Sequence, residues 1–130
     1  MAELLDGVPG EQEYRTLRVA AGMAPRSDAA ARAGLPNSLF SVVLRADGRL
    51  VGMGRVVGDG GNFAQIVDIA VHPDWQGKGH GKAIFARLLD WCKVNLPSTC
   101  YLSLIADPPA DKLYAKFGFD YAIGMGMKLP

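Results

Sequence analysis

Two rhythms of apolar and polar positions divide this chain. Between residues 11 and 22, Tyr14, Leu17, Arg18 and Ala21 recur at helical spacing, and Pro9-Gly10-Glu11 reads as a helix start. Ser27-Asp28 predicts the cap of a second short helix, Ala29 to Ala33, closed by Gly34 and Pro36. The rhythm then changes to strands. Phe40–Leu44 and Leu50–Val57 are strand-like runs joined at Asp47-Gly48, a strong hairpin signal, and Asp59-Gly60-Gly61 turns the chain into a third run, Phe63–Val71. Helical spacing returns in Lys82–Val94, where Ile84, Phe85, Leu88, Leu89 and Cys92 form a wide apolar stripe fit to cover a sheet. Tyr101–Ala106 reads as a buried strand, parallel to Phe63–Val71 through that helical crossover. Pro108-Pro109 opens a short helix that runs through Phe117 and ends at Gly118. Phe119–Tyr121 and Met125–Leu129 are expected to close the fold as a hairpin, and Leu4-Leu5 to form at most a stub of strand.

Composition narrows this picture without changing it. At 130 residues, with 49% apolar and 21% charged positions, the chain is expected to be one domain, 1–130, with its own core. A net charge of +1 gives no nucleic-acid footprint. No apolar run is long enough for a membrane span, and the start Met1-Ala2-Glu3-Leu4-Leu5-Asp6 lacks the basic end of a signal peptide, so a cytoplasmic location is expected. Cys92 and Cys100 follow no metal-ligand spacing, and no metal site is expected.

The densest chemistry lies in Gln76-Gly77-Lys78-Gly79-His80-Gly81, between the third strand and the amphipathic helix. Glycines let the backbone approach a ligand, and the first turn of a helix presents unpaired N–H groups and partial positive charge. Lys78 and Lys82 add cations, so the turn suits a phosphate or pyrophosphate. A bare strand-to-helix connection would not need three alternating glycines. A P-loop is excluded because Ala83, not Ser or Thr, follows Lys82; the Gly-x-Gly-x-x-Gly spacing of dinucleotide folds is also absent.

The segment resembles the acyl-CoA signature of the GCN5-related N-acetyltransferases, Gln/Arg-x-x-Gly-x-Gly/Ala, through Gln76, Gly79 and Gly81, with Val71-His72-Pro73 matching that family's Val-x-Pro lead-in. Leu113-Tyr114-Ala115-Lys116-Phe117-Gly118-Phe119 resembles its second signature, Leu-Tyr-x-Lys-x-Gly-Phe. The resemblance runs from about Leu39 to the C-terminus. It implies an α/β fold: a mixed, mostly antiparallel sheet of six to seven strands, flanked by helices and with its central parallel strands splayed. It also implies an N-acyltransferase that moves acetyl from acetyl-CoA to a primary amine by direct attack in a ternary complex. The opposing expectation is a catalytically silent CoA-binding sensor or interaction module.

Residue by residue, the resemblance places Ile69, Ala70 and Val71 along the pantetheine arm. It places Gln76, Gly77, Lys78, Gly79, His80, Gly81 and Lys82 around the pyrophosphate, and the Tyr114 phenol at the CoA sulfur as the acid for the departing thiolate. The alternative for Tyr114 is a core aromatic beside Phe117 and Phe119. Gln65 stands where histone-modifying relatives carry a Glu base, and an amide cannot accept the proton. Asp68, inside an apolar strand, is then the candidate base; equally, it is a carboxylate paired with an arginine such as Arg55. The expected acceptor wall comprises Tyr14, Arg18, Met23, Phe40 and Arg55, serving a small-molecule amine or a peptide. A homodimer is compatible with these expectations, which involve neither nucleic acid nor membrane.

Overall fold

The computed structural model describes all 130 residues. Its strands lie in sequence order, β1 (Ala2–Asp6), β2 (Phe40–Ala46), β3 (Arg49–Gly58), β4 (Phe63–Val71) and β5 (Tyr101–Leu104). The first three pairings are antiparallel, and β4–β5 is parallel. Asp47 and Gly48, both at positive φ (51° and 78°), form the two-residue turn that the Asp-Gly signal calls for. α1 (Glu11–Ala20) and α2 (Asp28–Gly34) cover one face. α3 (His80–Asn95) covers the other, joined at its end by α4 (Ala110–Ala115). Ser27 caps α2 by accepting from the Ala30 N–H at 3.0 Å.

Alternation along the strands assigns the faces. Val42 and Val56 face α3 with Ala64 and Ile66, whereas Val43 and Met53 face α1 with Tyr14 and Leu17. Along β4 the alternation breaks. The register with β3 shifts between Met53 and Arg55, and Asp68 takes φ 59°. This bulge turns both Val67, paired with Arg55, and Asp68 away from α3, after which Ile69 again packs towards it. Pairing with β5 also stops there. It covers Phe63–Ile66 against Tyr101–Leu104, and the rest of β4 runs on without a β5 partner. The central parallel strands therefore part at the bulge.

Three sequence expectations are corrected. The sheet has five strands rather than six to seven. β1 is a complete strand of five residues, registered from Ala2↔Ala46 to Asp6↔Val42, because Leu4 has an apolar cluster of Leu44, Ala46 and Val51 to pack on. The closing hairpin is absent: residues 119–130 form no regular element. Its two arms were short, Gly126 weakens the second, and an isolated two-stranded ribbon is marginal without a face to bury.

Candidate active site

The parting of β4 and β5 opens a cavity of about 180 Å³, with Ile66–Ile69 on one wall and Leu104, Ile105 and Asp107 on the other. Met23, Ala110 and Tyr114 complete its lining. A second hollow of about 310 Å³ continues from Ile69 and Val71 to the glycine-rich turn. Ile69, Ala110 and Tyr114 border both, and of these Tyr114 alone carries a polar side chain where the two meet. α4 puts it there: Ala110, Leu113 and Tyr114, at i, i+3 and i+4, present one face to the second hollow. The Tyr114 ring packs on Phe85, with ring centroids 4.7 Å apart. Burial, and then the nearby Asp107 charge, raise its pKa, so the phenol keeps its proton at neutral pH; no side-chain hydrogen bond engages it.

The turn has the shape of an anion cradle. Gly77 and Gly79 hold positive φ (77° and 83°), which other residues adopt only with strain. Gly81 has no such need, and a Cβ there would meet nothing within 4 Å. The first backbone bond of α3 runs from Ala83 N–H to the Gly79 carbonyl (3.1 Å), leaving the amides of His80, Gly81 and Lys82 without backbone acceptors. Gln76 closes the strand end, its amide donating to the Val71 carbonyl at 2.9 Å. Lys78 folds over the Trp75 ring (4.9 Å to the centroid), and Lys82 is exposed. These residues fit a pyrophosphate, with open space and free donors where its oxygens would sit.

Below the cleft lies a buried polar knot. The Asp68 carboxylate accepts from the Tyr14 hydroxyl (2.7 Å), from Arg55 Nε (2.9 Å) and from Arg18. Side-chain exposures of 7% for Asp68, 4% for Arg18 and 11% for Arg55 make this a desolvated ion triad. Arg18 also donates twice to the Ala24 carbonyl (3.0 and 2.8 Å), and Arg55 donates to Ser38 Oγ (2.9 Å). Burial, then the bond to Asp68, raise the Tyr14 pKa. Of the expected acceptor wall, Tyr14, Arg18 and Arg55 meet in this knot, and Met23 reaches the cleft. Phe40 lies elsewhere, stacked on Trp91 of α3 (5.1 Å, 1° between planes) under Arg87. Strand alternation puts Phe40 on the same face as Val42. Sequence reading missed Leu113 and Leu104 in the lining; for Leu113, the helical offset from Ala110 was the available signal. Cys92 is buried in the α3 core, which pushes its thiol pKa up to about 11 and removes it as a nucleophile.

Residues 11–119 match the model of the Acetyltransferase (GNAT) family. The chain belongs to that family. A Staphylococcus aureus crystal structure described as a "Probable Acetyltransferase" is 46% identical, with a TM-score of 0.93 over 99% of this GNAT chain and 100% of that chain. A GNAT protein of Streptococcus pneumoniae, 21% identical, shares the fold with a TM-score of 0.79 over 99% and 98% of the two chains. Among curated relatives, an uncharacterized N-acetyltransferase of Pyropia yezoensis is 38% identical over 74 residues, 57% of this chain and 41% of its own. The chloroplastic GCN5-related N-acetyltransferase 1 of Arabidopsis thaliana is 35% identical over 71 residues, 55% of this chain and 35% of its own. The matches span under half the length of these curated relatives. No helix is long and apolar enough to cross a membrane.

Proposed function

We propose that this GNAT acetyltransferase moves acetyl from acetyl-CoA to a primary amine by direct attack in a ternary complex, with Tyr114 as the proton donor. The observation that carries this reading is the position of Tyr114, at the junction of the cleft and the hollow leading to the glycine-rich turn. In it, the amides of His80, Gly81 and Lys82 hold the pyrophosphate of the co-substrate, and Gln76, Gly77, Lys78 and Gly79 shape the cradle. The open edge of β4 at Ile69, Ala70 and Val71 offers backbone groups to the pantetheine arm, and its donors polarise the thioester carbonyl. The Tyr114 hydroxyl, kept protonated by burial, delivers its proton to the departing sulfur.

The geometry supports a structural rather than a basic role for Asp68. Two guanidinium groups and a phenol occupy its oxygens, which leaves little of the carboxylate to receive a proton from an incoming amine. The amine therefore sheds its proton to solvent through the open cleft, and Met23, at the cleft rim, contacts an acceptor that is a small molecule or a peptide terminus. The test is calorimetric titration with acetyl-CoA beside a thiol-release assay over a panel of primary amines. Binding with turnover on at least one amine is expected. Binding without turnover on any amine would favour a silent CoA-binding module, and absent binding would overturn the cofactor assignment.

A further inference from the structure

Arg18 lies in the last turn of α1, where a cation can hydrogen-bond the helix's own final carbonyls. Its guanidinium passes them by. Nε and one Nη donate to the Ala24 carbonyl beyond the helix (3.0 and 2.8 Å), and the other Nη donates to Asp68. The backbone carbonyl of Arg18 meanwhile accepts from the Met23 N–H at 2.8 Å. Met23 is thus bracketed, its own N–H and the carbonyl of the next residue both held by Arg18. Gly22, at φ 84°, makes the turn that allows this.

The far side of the guanidinium lands on the β4 bulge. Asp68 and Met23 both line the cleft, whereas Arg18 does not. One cation, 4% exposed, therefore ties together two lining residues from different parts of the fold. Neutralising Asp68 does not account for it, because Arg55 already bonds that carboxylate at 2.9 Å. A second buried guanidinium adds a desolvation cost that a single carboxylate does not require. The planar fork of arginine explains its presence: three N–H groups reach a carbonyl and a carboxylate at fixed angles, which a lysine ammonium on its flexible stem does not reproduce. Met23 needs such a hold, since its side chain has three rotatable bonds and keeps a position only when its backbone is fixed.

We propose that Arg18 is a positioning residue for the acceptor amine, which it never touches. By locking the loop after α1 onto the β4 bulge, it sets Met23 against the cleft in register with the strand beside the acyl group. Acceptor affinity then depends on a guanidinium outside the cleft. This inference rests on the reading of the cleft as the place where the amine meets the thioester.

Arg18→Lys tests it, because a charge stays beside Asp68 while the bonds to Ala24 are lost. Steady-state kinetics with acetyl-CoA use ethanolamine, phenethylamine, spermidine and trialanine as acceptors. For each acceptor that the unaltered protein turns over, the KM of the amine should rise about tenfold, with kcat and the calorimetric acetyl-CoA affinity within about twofold. Met23→Ala should raise the same KM, and in that background Arg18→Lys should add little, since its effect runs through Met23. Met23 is half-buried at the cleft rim, so Met23→Ala keeps the proposal refutable even if Arg18→Lys fails to fold. Hydrogen exchange at the Met23 amide should speed up about tenfold in Arg18→Lys, while strand amides stay protected. Arg45→Lys is the control: Arg45 also holds α1 to the sheet, through Glu13 at 2.7 Å, and its replacement should leave the acceptor KM as it was. An unchanged acceptor KM in Arg18→Lys or Met23→Ala, an equal loss of acetyl-CoA affinity, additive effects in the double variant, or the same rise in Arg45→Lys would each overturn the proposal. Acetyl-CoA binding without turnover on any of the four acceptors would also overturn it, through failure of the cleft reading rather than of the Arg18 link, which hydrogen exchange reports separately.

Discussion

The Tyr114 phenol combines a core position with a polar end facing the cleft, and its replacement separates those two duties. Tyr114→Phe keeps the ring packing on Phe85 and should leave acetyl-CoA affinity nearly unchanged, while kcat falls about 10- to 1,000-fold. Single-turnover and binding measurements on the same variant check this, and full turnover would remove the phenol from the mechanism. Its raised pKa also sets a sign for stability. The folded state holds this proton more tightly than the unfolded chain, so the contribution is full below the ordinary tyrosine pKa and is lost as pH rises through the raised one. Tyr14 adds loss of the same sign, so Tyr114→Phe should remove only part of the alkaline decline in melting temperature. Asp68 gives a contrasting case. Asn suits its positive φ, so Asp68→Asn spares the backbone but strips the charge from two buried arginines. A loss of about 3 kcal/mol in chemical denaturation is expected. A variant of wild-type stability with reduced turnover and a displaced pH–rate profile would instead make Asp68 the base.

Between elements, glycine decides how closely α3 can lie on the sheet. A Cβ at Gly54 of β3 would stand 2.7 Å from both Ile84 Cγ2 and Leu88 Cδ1. Gly54→Ala should therefore push α3 outward and cost about 1–3 kcal/mol, measurable as a lower denaturation midpoint. Gly81 at the start of the same helix behaves oppositely, because space is open there. Gly81→Asp should fold with near-native stability yet abolish acetyl-CoA binding in calorimetry, since the added side chain and charge would occupy the pyrophosphate cradle. Unchanged binding would place the co-substrate elsewhere.

For the whole molecule, the co-substrate should act as a clamp. The proposed site joins β4 and the turn before α3, which are neighbours in the chain, to α4, which starts only at Ala110. Acetyl-CoA at about 100 times its Kd should add roughly 2.7 kcal/mol of stability and raise the melting temperature without added metal. A melting temperature indifferent to acetyl-CoA would contradict this.

How much of this was legible beforehand follows from the range of each interaction. Helix stripes, the Asp47-Gly48 turn, the glycine-rich cradle and the Leu113–Phe119 segment rest on neighbours within a few residues, so the sequence by itself determined them. Face assignment along β4 did not, because a bulge at Asp68 shifts every later side chain and only pairing with β3 reveals it. Nor could spacing tell that one carboxylate would gather Tyr14, Arg18 and Arg55, which stand 54, 50 and 13 positions away. β1 and residues 119–130 are the clearest pair. Both look like strands or fragments of strands, yet Leu4 finds an apolar cluster to cover while residues 119–130 join no sheet. Strand identity depends on what lies alongside, and that is decided only when the whole chain has folded.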